Sequence, residues 1–335
     1  MGMKRRFWQI TIAIALVGTS VIAFSFYQLW QNVRETASII YEPLPPPAHP
    51  VQVSEKKEDM ELTVTPEVVP KEPKRPLTML LFGVDKRGAD PGRTDTLIFL
   101  AVHPEKHETL MFSIPRDTRT TIISNGKEDK INHAYSAGGI PSTVRTVEHF
   151  LDIPIDYYVK VEMEGFSAIV DTLGGVTVEN AFAFDYEGYH FPKGSISMDG
   201  NKALAYARMR YEDPEGDFGR NKRQQQIIRE LMSKGKQVST VGKLDTILAN
   251  VGNSIKTNLA LTDMQELMLD YKSALEELEV LSIRGEGGMI GGIYYYLVTD
   301  QERKRLKEEI EQFLKKPVSE AADLQEKKGS TLLGT

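Results

Sequence analysis

The chain has 335 residues and a formal net charge of −6, a length that suits one large domain or two small ones. It contains no cysteine, which excludes disulfides, thiol catalysis, cysteine-ligated metals and a lipid-modified cysteine. Its six histidines lack metal-ligand spacing, which argues against a zinc site. The sequence also has no phosphate-binding loop of the Walker type, no nucleophile elbow and no dinucleotide fingerprint.

The N-terminal segment predicts a membrane anchor. Basic residues at 4–6 precede an uncharged run over 7–30, and a helix of these 24 residues would span about 36 Å, enough to cross a bilayer. Trp8, Tyr27 and Trp30 lie near its ends like an aromatic belt, and the basic cluster places residues 1–6 in the cytoplasm. A cleaved signal peptide is the alternative, but it would have a shorter apolar core and a small-residue cleavage site. We therefore predict a single-pass membrane protein whose remaining residues are extracellular.

Residues 31–76 have the composition of a spacer. They contain nine of the seventeen prolines and the charged run 55–59, a mixture that cannot bury a core. We expect an extended extracytoplasmic linker without helix that holds the next domain away from the membrane. The polar residues 317–335 predict a flexible tail.

Between these segments, residues 77–316 have the composition of a folded domain. Short apolar runs predict strands, and apolar residues at helical spacing predict helices. The predicted strands cover 77–84, 96–102, 109–114, 176–178, 280–283 and 294–298. The predicted helices cover 142–151, 162–173, 199–210, 219–234, 243–255, 262–278 and 300–315. Because strands alternate with helices, we predict an α/β fold, a three-layer α/β/α domain with a central mixed sheet.

An arginine-rich segment is the most informative feature of this domain. It contains Arg208, Arg210, Arg220 and Arg223 in a chain that is acidic overall, so a local anion is expected. On the helix predicted from residue 219, Arg220, Arg223 and Gln224 fall on one face, and the amides at its N-terminus also attract anions. The segment predicts a phosphate-binding site. Its alternative is a solvated basic helix held by surface ion pairs.

Charged residues also cluster at the ends of predicted strands, where open α/β sheets bind ligands. Asp85 follows the first strand, and Arg93 and Asp95 open the second. Such a carboxylate pair suits Mg²⁺, although aspartate is also common in turns. Arg116 follows a proline at the end of the third strand, where a rigidly held guanidinium would stabilise charge on a transferring phosphoryl group. Its alternative role is a structural ion pair with Asp95 or Asp117.

A third cluster, residues 130–135, could supply Lys130 to the same anion. It also contains His133, which by itself is more typical of a packed, hydrogen-bonded histidine than of a catalytic base. We therefore predict no catalytic role for that imidazole.

In combination these segments resemble the LytR-CpsA-Psr (LCP) family, the membrane-anchored enzymes of Gram-positive cell envelopes. The resemblance extends from about residue 77 to about residue 314, and its motifs occur in the family's order. They are Gly83-Val84-Asp85, Arg93-Thr94-Asp95-Thr96, Ser113-Ile114-Pro115-Arg116-Asp117, Lys130-Ile131-Asn132-His133-Ala134-Tyr135, Asp171-Thr172-Leu173-Gly174-Gly175-Val176 and the arginine-rich segment with its glutamines.

The resemblance implies a phosphotransferase. Members of the family move a phosphoglycan, such as teichoic acid or capsular polymer, from undecaprenyl pyrophosphate to peptidoglycan, typically to the C6 hydroxyl of N-acetylmuramic acid. For this chain it implies Mg²⁺, or Mn²⁺, on Asp85 and Asp95, with Arg116 and Asp95 as the catalytic residues. The residues expected to bind the pyrophosphate are Arg93, Lys130, Arg208, Arg210, Asp217, Arg220, Arg223 and Gln224.

Other functions remain as alternatives at this point. Water could replace the acceptor hydroxyl, which would give a polyprenyl-pyrophosphate hydrolase, and a non-catalytic envelope regulator could bind the same lipid. A transcriptional regulator is disfavoured because the basic segment is predicted outside the cytoplasm and no helix-turn-helix pattern occurs, so we expect no nucleic-acid partner. The enzyme hypothesis requires that side chains between residues 85 and 224 converge on one diphosphate headgroup.

Overall fold

The computed structural model describes residues 27, 31, 33–45, 74–85, 92–237, 250 and 252–315. The chain divides into two units, which we call the sheet unit (43–160 and 266–335) and the arginine unit (1–42 and 161–265). The strands are β1 (Leu77–Asp85), β2 (Arg93–His103), β3 (Glu108–Ser113), β4 (Arg119–Ile122), β5 (Lys127–Lys130), β6 (Tyr157–Glu162), β7 (Val176–Asn180), β8 (Phe184–Tyr186), β9 (Tyr189–Phe191), β10 (Gly194–Met198), β11 (Ile255–Thr257), β12 (Glu277–Val280), β13 (Glu286–Ile290) and β14 (Ile293–Leu297). The α-helices are α1 (Ala134–Leu151), α2 (Met163–Thr172), α3 (Gly200–Arg208), α4 (Asp217–Gln237), α5 (Leu261–Asp270) and α6 (Asp300–Leu314). Short 3₁₀ helices cover Ile131–His133, Gly252–Ser254 and Lys272–Leu275.

A mixed sheet forms the centre of the sheet unit, where neighbouring strands follow the order β6-β1-β2-β3-β12. β2 pairs antiparallel with β1 and with β3, and β12 pairs parallel with β3. Residues 97–103 of β2 are all buried, as expected for an interior strand that is covered on both faces. The predicted α/β fold with a central mixed sheet is confirmed, whereas its division into three layers stays a prediction.

Aromatic and aliphatic side chains fill the core of the sheet unit. Phe99 and Phe112 on neighbouring strands stack with their ring centroids 5.0 Å apart. Helix α1 contributes Val144, Val147 and Phe150, which recur at helical spacing and are at most 1% exposed. Each such side chain contributes roughly 1.5–3 kcal/mol through burial, so the sheet is a rigid support for its strand ends.

Helix α1 is interrupted near its start. Gly139 has a φ of +66°, a left-handed conformation that side chains other than glycine rarely adopt. Pro141 follows and restarts the helix, because proline is tolerated in a first turn, where its missing N–H has no intrahelical acceptor. The predicted helix 142–151 is therefore confirmed, and one further turn before the break extends it towards the N-terminus.

The arginine unit has its own core around an aromatic cluster. β7 pairs antiparallel with β10, and β8 pairs antiparallel with β9. Phe184 on β8 stacks on Phe191 at 4.6 Å and on Tyr206 of α3 at 5.8 Å between centroids. This cluster fixes α3, which precedes the arginine-rich residues in the chain.

Several sequence predictions need correction. Residues 33–40, within the expected linker, are helical, with Val33, Ala37 and Ile40 buried at helical spacing. The helix predicted over 262–278 ends at Asp270, and the following strand is Glu277–Val280 rather than 280–283. Of the helix predicted over 243–255, residues 252–254 form a 3₁₀ helix and Ile255 begins strand β11, while residues 243–249 and 251 lie outside the described residues.

The hairpins β4–β5 and β8–β9 and strand β13 were not predicted from the sequence, whereas the strand predicted over 294–298 is confirmed as β14. Strands of three to five residues are too short to show clear alternation of polar and apolar residues, and glycine-rich β13 has no apolar pattern.

Among the described residues, no helix combines the length and the apolar character needed to span a bilayer. The predicted anchor at 7–30 lies outside the described residues except for Tyr27, as do 46–73 of the linker and the tail 317–335.

Glu302 in α6 is the basis of a stability prediction. Its carboxylate accepts hydrogen bonds from the Arg305 guanidinium at 2.6 and 2.8 Å and from the Arg284 amide at 2.8 Å. The hydrogen bonds from Arg305 lower the pKa of Glu302 below its ordinary 4.5, against the opposing effect of burial. We expect Glu302→Gln to reduce the free energy of unfolding by about 1–3 kcal/mol at pH 7, measured by urea denaturation.

A carboxyl whose folded-state pKa is lowered contributes its stability above its ordinary pKa, and that contribution is lost as the pH falls through the folded-state value. The difference between wild type and Glu302→Gln should therefore shrink below about pH 4.5. Glu308→Gln is the control, since that side chain is 65% exposed and lies 3.7 Å from Lys304 on the same helix. An equal loss in both variants would contradict this account.

Candidate active site

A chain of alternating charges lies at the ends of strands in the sheet unit. Arg116 Nη1 donates to Asp95 Oδ1 at 2.7 Å, and its Nε lies 3.8 Å from Asp117 Oδ2. Lys130 Nζ contacts the other Asp117 oxygen at 2.7 Å. The side chains of Arg116, Asp117 and Lys130 are 17–20% exposed and that of Asp95 is 34% exposed, so water screens these charges only partly. We call Asp95, Arg116, Asp117 and Lys130 the ionic network.

A β-bulge places Asp95 in this network. Gly83 pairs with Thr96 and Val84 pairs with Thr94, which leaves Asp95 as the extra residue on β2. A bulge bends its strand and redirects the extra side chain, and bulges are frequent beside active sites. The sequence predicted Asp95 at a strand start but contained no signal for the bulge.

A short turn after β3 positions Arg116. The Thr118 amide donates to the Pro115 carbonyl at 3.0 Å, and the Asn132 amide donates to the Arg116 carbonyl at 3.2 Å. The predicted rigid backbone at Arg116 is therefore present. Its alternative role, an ion pair with Asp95 or Asp117, is also present, so the two interpretations are compatible.

Tyrosines of the hairpin β13–β14 pack on the far end of the network. Lys130 Nζ lies 6.0 Å from the Tyr294 ring centroid and 5.9 Å from that of Tyr295, within cation–π range. The Tyr296 amide donates to the Asp117 carbonyl at 2.8 Å. Sequence analysis missed this contribution, because nothing local in residues 293–297 indicates which cation they approach.

Asp85 and Arg93 occupy opposite positions where β1 and β2 meet in register, and residues 86–91 between them lie outside the described residues. Asp85 therefore lies at the same end of the β1–β2 pair as the bulged Asp95. No group of three or more acidic or histidine side chains suited to a metal occurs in the described part of the chain. Mg²⁺ uses few protein carboxylates together with substrate phosphates, so the donor set of Asp85 and Asp95 fits it.

In the arginine unit, the guanidinium of Arg223 is committed to acceptors of the protein itself. It is 5% exposed, forms a buried ion pair with Asp213, and donates to the carbonyls of Met209 and Tyr206, the latter at 3.0 Å. Burial raises the pKa of the neighbouring Tyr206 hydroxyl to about 12, so this phenol stays neutral. The geometry favours a structural role for Arg223 over the predicted substrate contact. Asp213 was not among the predicted residues, because burial of a loop carboxylate has no sequence signal.

Two further predicted residues of this unit, Arg220 and Gln224, are also buried. Arg220 is 5% exposed and pairs with Asp217 at 2.9 Å. Gln224 donates to the Ala207 carbonyl at 3.3 Å, while its buried Oε1 has no hydrogen-bond partner among the described residues. The alternative of a basic helix with ion pairs is thus correct about the pairing, but these side chains are not solvated.

Arg208 is the last residue of α3, and Arg210 lies in the loop between α3 and α4. Both are less buried than Arg220 and Arg223. Arg208 pairs with Glu187 at 3.0 Å, and its side chain is 29% exposed. Arg210 stacks over Tyr211 with its guanidinium carbon 4.4 Å from the ring centroid. These two arginines are the most accessible of the segment for an anionic ligand. The expectation that the arginine segment and the ionic network bind one headgroup stays a prediction.

Open α/β sheets bind ligands at their strand ends, which is where this fold carries its paired acids and bases. Residues 48–312 match the model of the LytR_cpsA_psr family. The chain belongs to this family, and the resemblance inferred from its motifs is confirmed.

Two named relatives share most of their length with this chain. A Bacillus subtilis (strain 168) protein named polyisoprenyl-teichoic acid–peptidoglycan teichoic acid transferase TagU is 43% identical over 305 residues, which cover 91% of this chain and 94% of that protein. A protein of the same name from Halalkalibacterium halodurans is 42% identical over 314 residues, covering 93% and 99%.

Solved structures of similar proteins support the assignment to this family. The crystal structure of B. subtilis TagU, at 43% identity, covers 73% of this chain and 99% of that one with a TM-score of 0.59. The structure described as TagT bound to LI-WTA, at 29% identity, covers 74% and 94% with a TM-score of 0.61.

Gly219 tests the role of the buried Arg223–Asp213 pair. A Cβ at this position would overlap the Asp213 carboxylate, whereas a Cβ at Gly235 on the same helix would meet nothing within 4 Å. We expect Gly219→Ala to reduce the free energy of unfolding by about 1–3 kcal/mol through overpacking. Gly235→Ala should instead raise it by up to about 1 kcal/mol, because alanine is the better helix former.

Both variants are measured by thermal and urea unfolding of the full chain. Since the two substitutions have the same helix-propensity effect, their difference isolates the clash with Asp213. Stabilisation by Gly219→Ala equal to that by Gly235→Ala would show that the pair tolerates displacement.

Proposed function

We propose that this protein transfers a phosphoglycan of the teichoic acid or capsular type from undecaprenyl pyrophosphate to peptidoglycan, at the C6 hydroxyl of N-acetylmuramic acid. Relatives named teichoic acid–peptidoglycan transferases support glycopolymer transfer to peptidoglycan. The observation that carries the proposal is the fixed position of Arg116 between the carboxylates of Asp95 and Asp117.

In this reaction the acceptor hydroxyl oxygen forms a bond to the phosphorus that carries the glycan. The bond between that phosphorus and the bridging oxygen breaks, and undecaprenyl phosphate leaves with the electron pair. The hydroxyl proton passes to a base. Such a transfer depends on positioning and on charge stabilisation and requires no cysteine or serine nucleophile.

Arg116 is proposed to stabilise the charge that develops on the transferring phosphoryl group. Its orientation is set before substrate binds by Asp95 at 2.7 Å, so little reorganisation is needed during the reaction. Asp95 is proposed as the proton acceptor, because a carboxylate in contact with Arg116 lies next to the site of charge development. In this proposal the base lies at the bulge in β2, and the charge-stabilising guanidinium lies on the turn after β3.

Asp85 and Asp95 would hold Mg²⁺, which when bound neutralises the pyrophosphate and makes the departing phosphate a better leaving group. We propose that the pyrophosphate oxygens are bound by the predicted side chains that can still donate to an anion. These are Arg93, Lys130, Arg208, Arg210, Arg220 and Gln224. Asp217 and Arg223 then act by positioning, since their partners are Arg220 and Asp213.

The proposed setting is the outer face of the cell membrane. An anchor at 7–30, with residues 1–6 in the cytoplasm, would keep the enzyme beside its lipid-linked donor. The linker would give the domain reach towards peptidoglycan.

Arg116 provides the direct test. We expect Arg116→Ala to reduce the transfer rate by at least about 10²-fold, the typical cost of losing one charge-stabilising donor. The measurement uses the full chain in detergent with a labelled lipid-pyrophosphate glycan, Mg²⁺ and peptidoglycan, and follows label in the peptidoglycan fraction. Arg116→Lys should also be impaired, because an ammonium lacks the guanidinium fork.

Arg145→Ala is the matched control, since that arginine pairs with Glu148 on the surface of α1. It should transfer at the wild-type rate. Unchanged transfer in Arg116→Ala would remove the mechanism, and release of the phosphoglycan to water without labelling peptidoglycan would favour the hydrolase alternative.

Dependence on a divalent cation is a separate prediction. Chelation with EDTA should abolish transfer, and added Mg²⁺ should restore it in the wild type. Asp85→Asn should require a higher Mg²⁺ concentration for half-maximal rate, because one anionic ligand is lost. Full activity in EDTA would show that Asp85 and Asp95 serve another purpose.

A further inference from the structure

The end of hairpin β13–β14 is an exposed apolar surface in the sheet unit. Strand pairing continues up to the turn, where Gly291 and Gly292 have φ values of +59° and +80°. A two-residue turn with two positive φ angles closes a regular hairpin. Four large apolar side chains flank this turn and are 43–66% exposed, namely Met289, Ile290, Ile293 and Tyr294. We call these four side chains the apolar tip.

The apolar tip is contiguous and uncharged. Met289 pairs with Tyr294 across the hairpin, and the residues next to them pair in the same way, so the four side chains are neighbours. No residue from Gly287 to Thr299 carries a charge, although 26% of the residues in the whole chain do. Single exposed apolar side chains are ordinary on soluble proteins, whereas a contiguous exposed group of them marks an interaction site.

Behind the tip, side chains follow the order of groups at a membrane interface. The aliphatic side chains come first, and the rings of Tyr294 and Tyr295 follow. Cations come next: Lys130 Nζ lies within 6.0 Å of both ring centroids, and the Arg119 guanidinium carbon lies 6.0 Å from that of Tyr295. Acyl chains, interfacial aromatic rings and basic groups beside phosphates occur in this order across a bilayer surface. The chemistry of the hairpin therefore matches a lipid surface.

The dimensions of the tip fit shallow insertion. A strand rises about 3.4 Å per residue, so the tip extends about 7 Å from the Met289–Tyr294 pair to the turn. This length is within the roughly 5–10 Å to which interfacial helices bury their apolar face. At that depth the outward backbone groups of the hairpin still reach headgroup water, whereas deeper insertion would leave them without partners.

The size of the tip favours lipid over a second protein. An aromatic side chain buries roughly 150–250 Å², so four side chains that are about half exposed present at most about 500 Å². A stable interface between proteins buries about 800 Å² on each partner. A bilayer has no such threshold, because its affinity for a segment increases with each apolar group that is buried.

We infer that the apolar tip inserts into the outer leaflet of the cell membrane, where phospholipid acyl chains cover it. The inference rests on the proposed function and its setting at the outer face of the membrane, and it adds a second bilayer contact to the predicted anchor. Because the tyrosines also contact Lys130 of the ionic network, insertion would hold that network near the headgroups, where a lipid-linked pyrophosphate is presented.

Fluorescence from a single label tests the insertion. The chain contains no cysteine, so Ile293→Cys can be labelled at that position alone with an environment-sensitive fluorophore. The full chain is reconstituted into vesicles of phosphatidylcholine and phosphatidylglycerol. Lipids with a nitroxide high on the acyl chain quench a label that contacts the bilayer, and iodide quenches a label in water. We expect emission at shorter wavelength, quenching by the nitroxide lipid and protection from iodide.

Ile123→Cys is the matched control. Ile123 is also an isoleucine at a hairpin turn of the sheet unit, and its exposure of 45% is close to the 49% of Ile293. The residues that follow it at that turn, 124–127, are polar or glycine, so this turn has no apolar tip. A label on Ile123→Cys should be quenched by iodide and not by the nitroxide lipid.

A charge at the tip provides a second variant. Met289→Asp in the labelled Ile293→Cys chain should abolish quenching by the nitroxide lipid and restore quenching by iodide, because an ionised carboxylate resists transfer out of water. Met289 is 66% exposed, so the substitution should leave the fold intact. Thermal unfolding of the reconstituted chain checks this.

Iodide quenching at residue 293 without quenching by the nitroxide lipid overturns the inference. Protection from iodide without lipid quenching also overturns it, and indicates that a protein, such as a second copy of this chain, covers the tip. The measurement requires no turnover. An inserted tip in a chain that transfers no glycan would therefore contradict the proposed function and leave the inference intact, whereas glycan transfer by a chain whose tip stays in water would do the reverse.

Discussion

The contact between Arg116 and Asp95 is the interaction on which the sheet unit's site depends. It joins a bulge in β2 to the turn after β3, two places that the backbone hydrogen bonds of the sheet bring close but do not by themselves orient. The Arg116 side chain is only 17% exposed, so loss of Asp95 would leave its charge less well compensated. Asp117 and Lys130 extend the contact into a line of alternating charge, which keeps the guanidinium fixed without neutralising it completely.

The surrounding core explains why this network is rigid. Interior strand β2 is buried over seven residues, and helices α1 and α6 cover the sheet with side chains such as Phe150 and Leu306 that are at most 1% exposed. A rigid sheet fixes its strand ends, and strand ends are where the charges lie. The tyrosines of hairpin β13–β14 then limit the access of water to Lys130, which strengthens its contact with Asp117.

The arginine-rich segment illustrates how similar residues acquire different roles. Arg223 is buried among carbonyls and Asp213 and holds α4 against the preceding loop, so its charge serves the fold. Arg208 and Arg210 are more exposed, and a bound anion could replace their contacts with Glu187 and the Tyr211 ring. A phosphate-bearing substrate would thus meet a surface whose supporting charges are already satisfied.

The sequence by itself determined the family, the strands β1–β3, most helices and the residues at the strand ends, because motifs and hydrophobic periodicity are local properties. It did not determine the bulge that directs Asp95, the burial of Arg223, the pairing of His133 with Asp129, or the approach of Tyr294 to Lys130. Tertiary structure decided these features. Burial and ion pairing depend on which distant segments meet, and a charged residue has the same letter whether it faces water, a ligand or a buried partner.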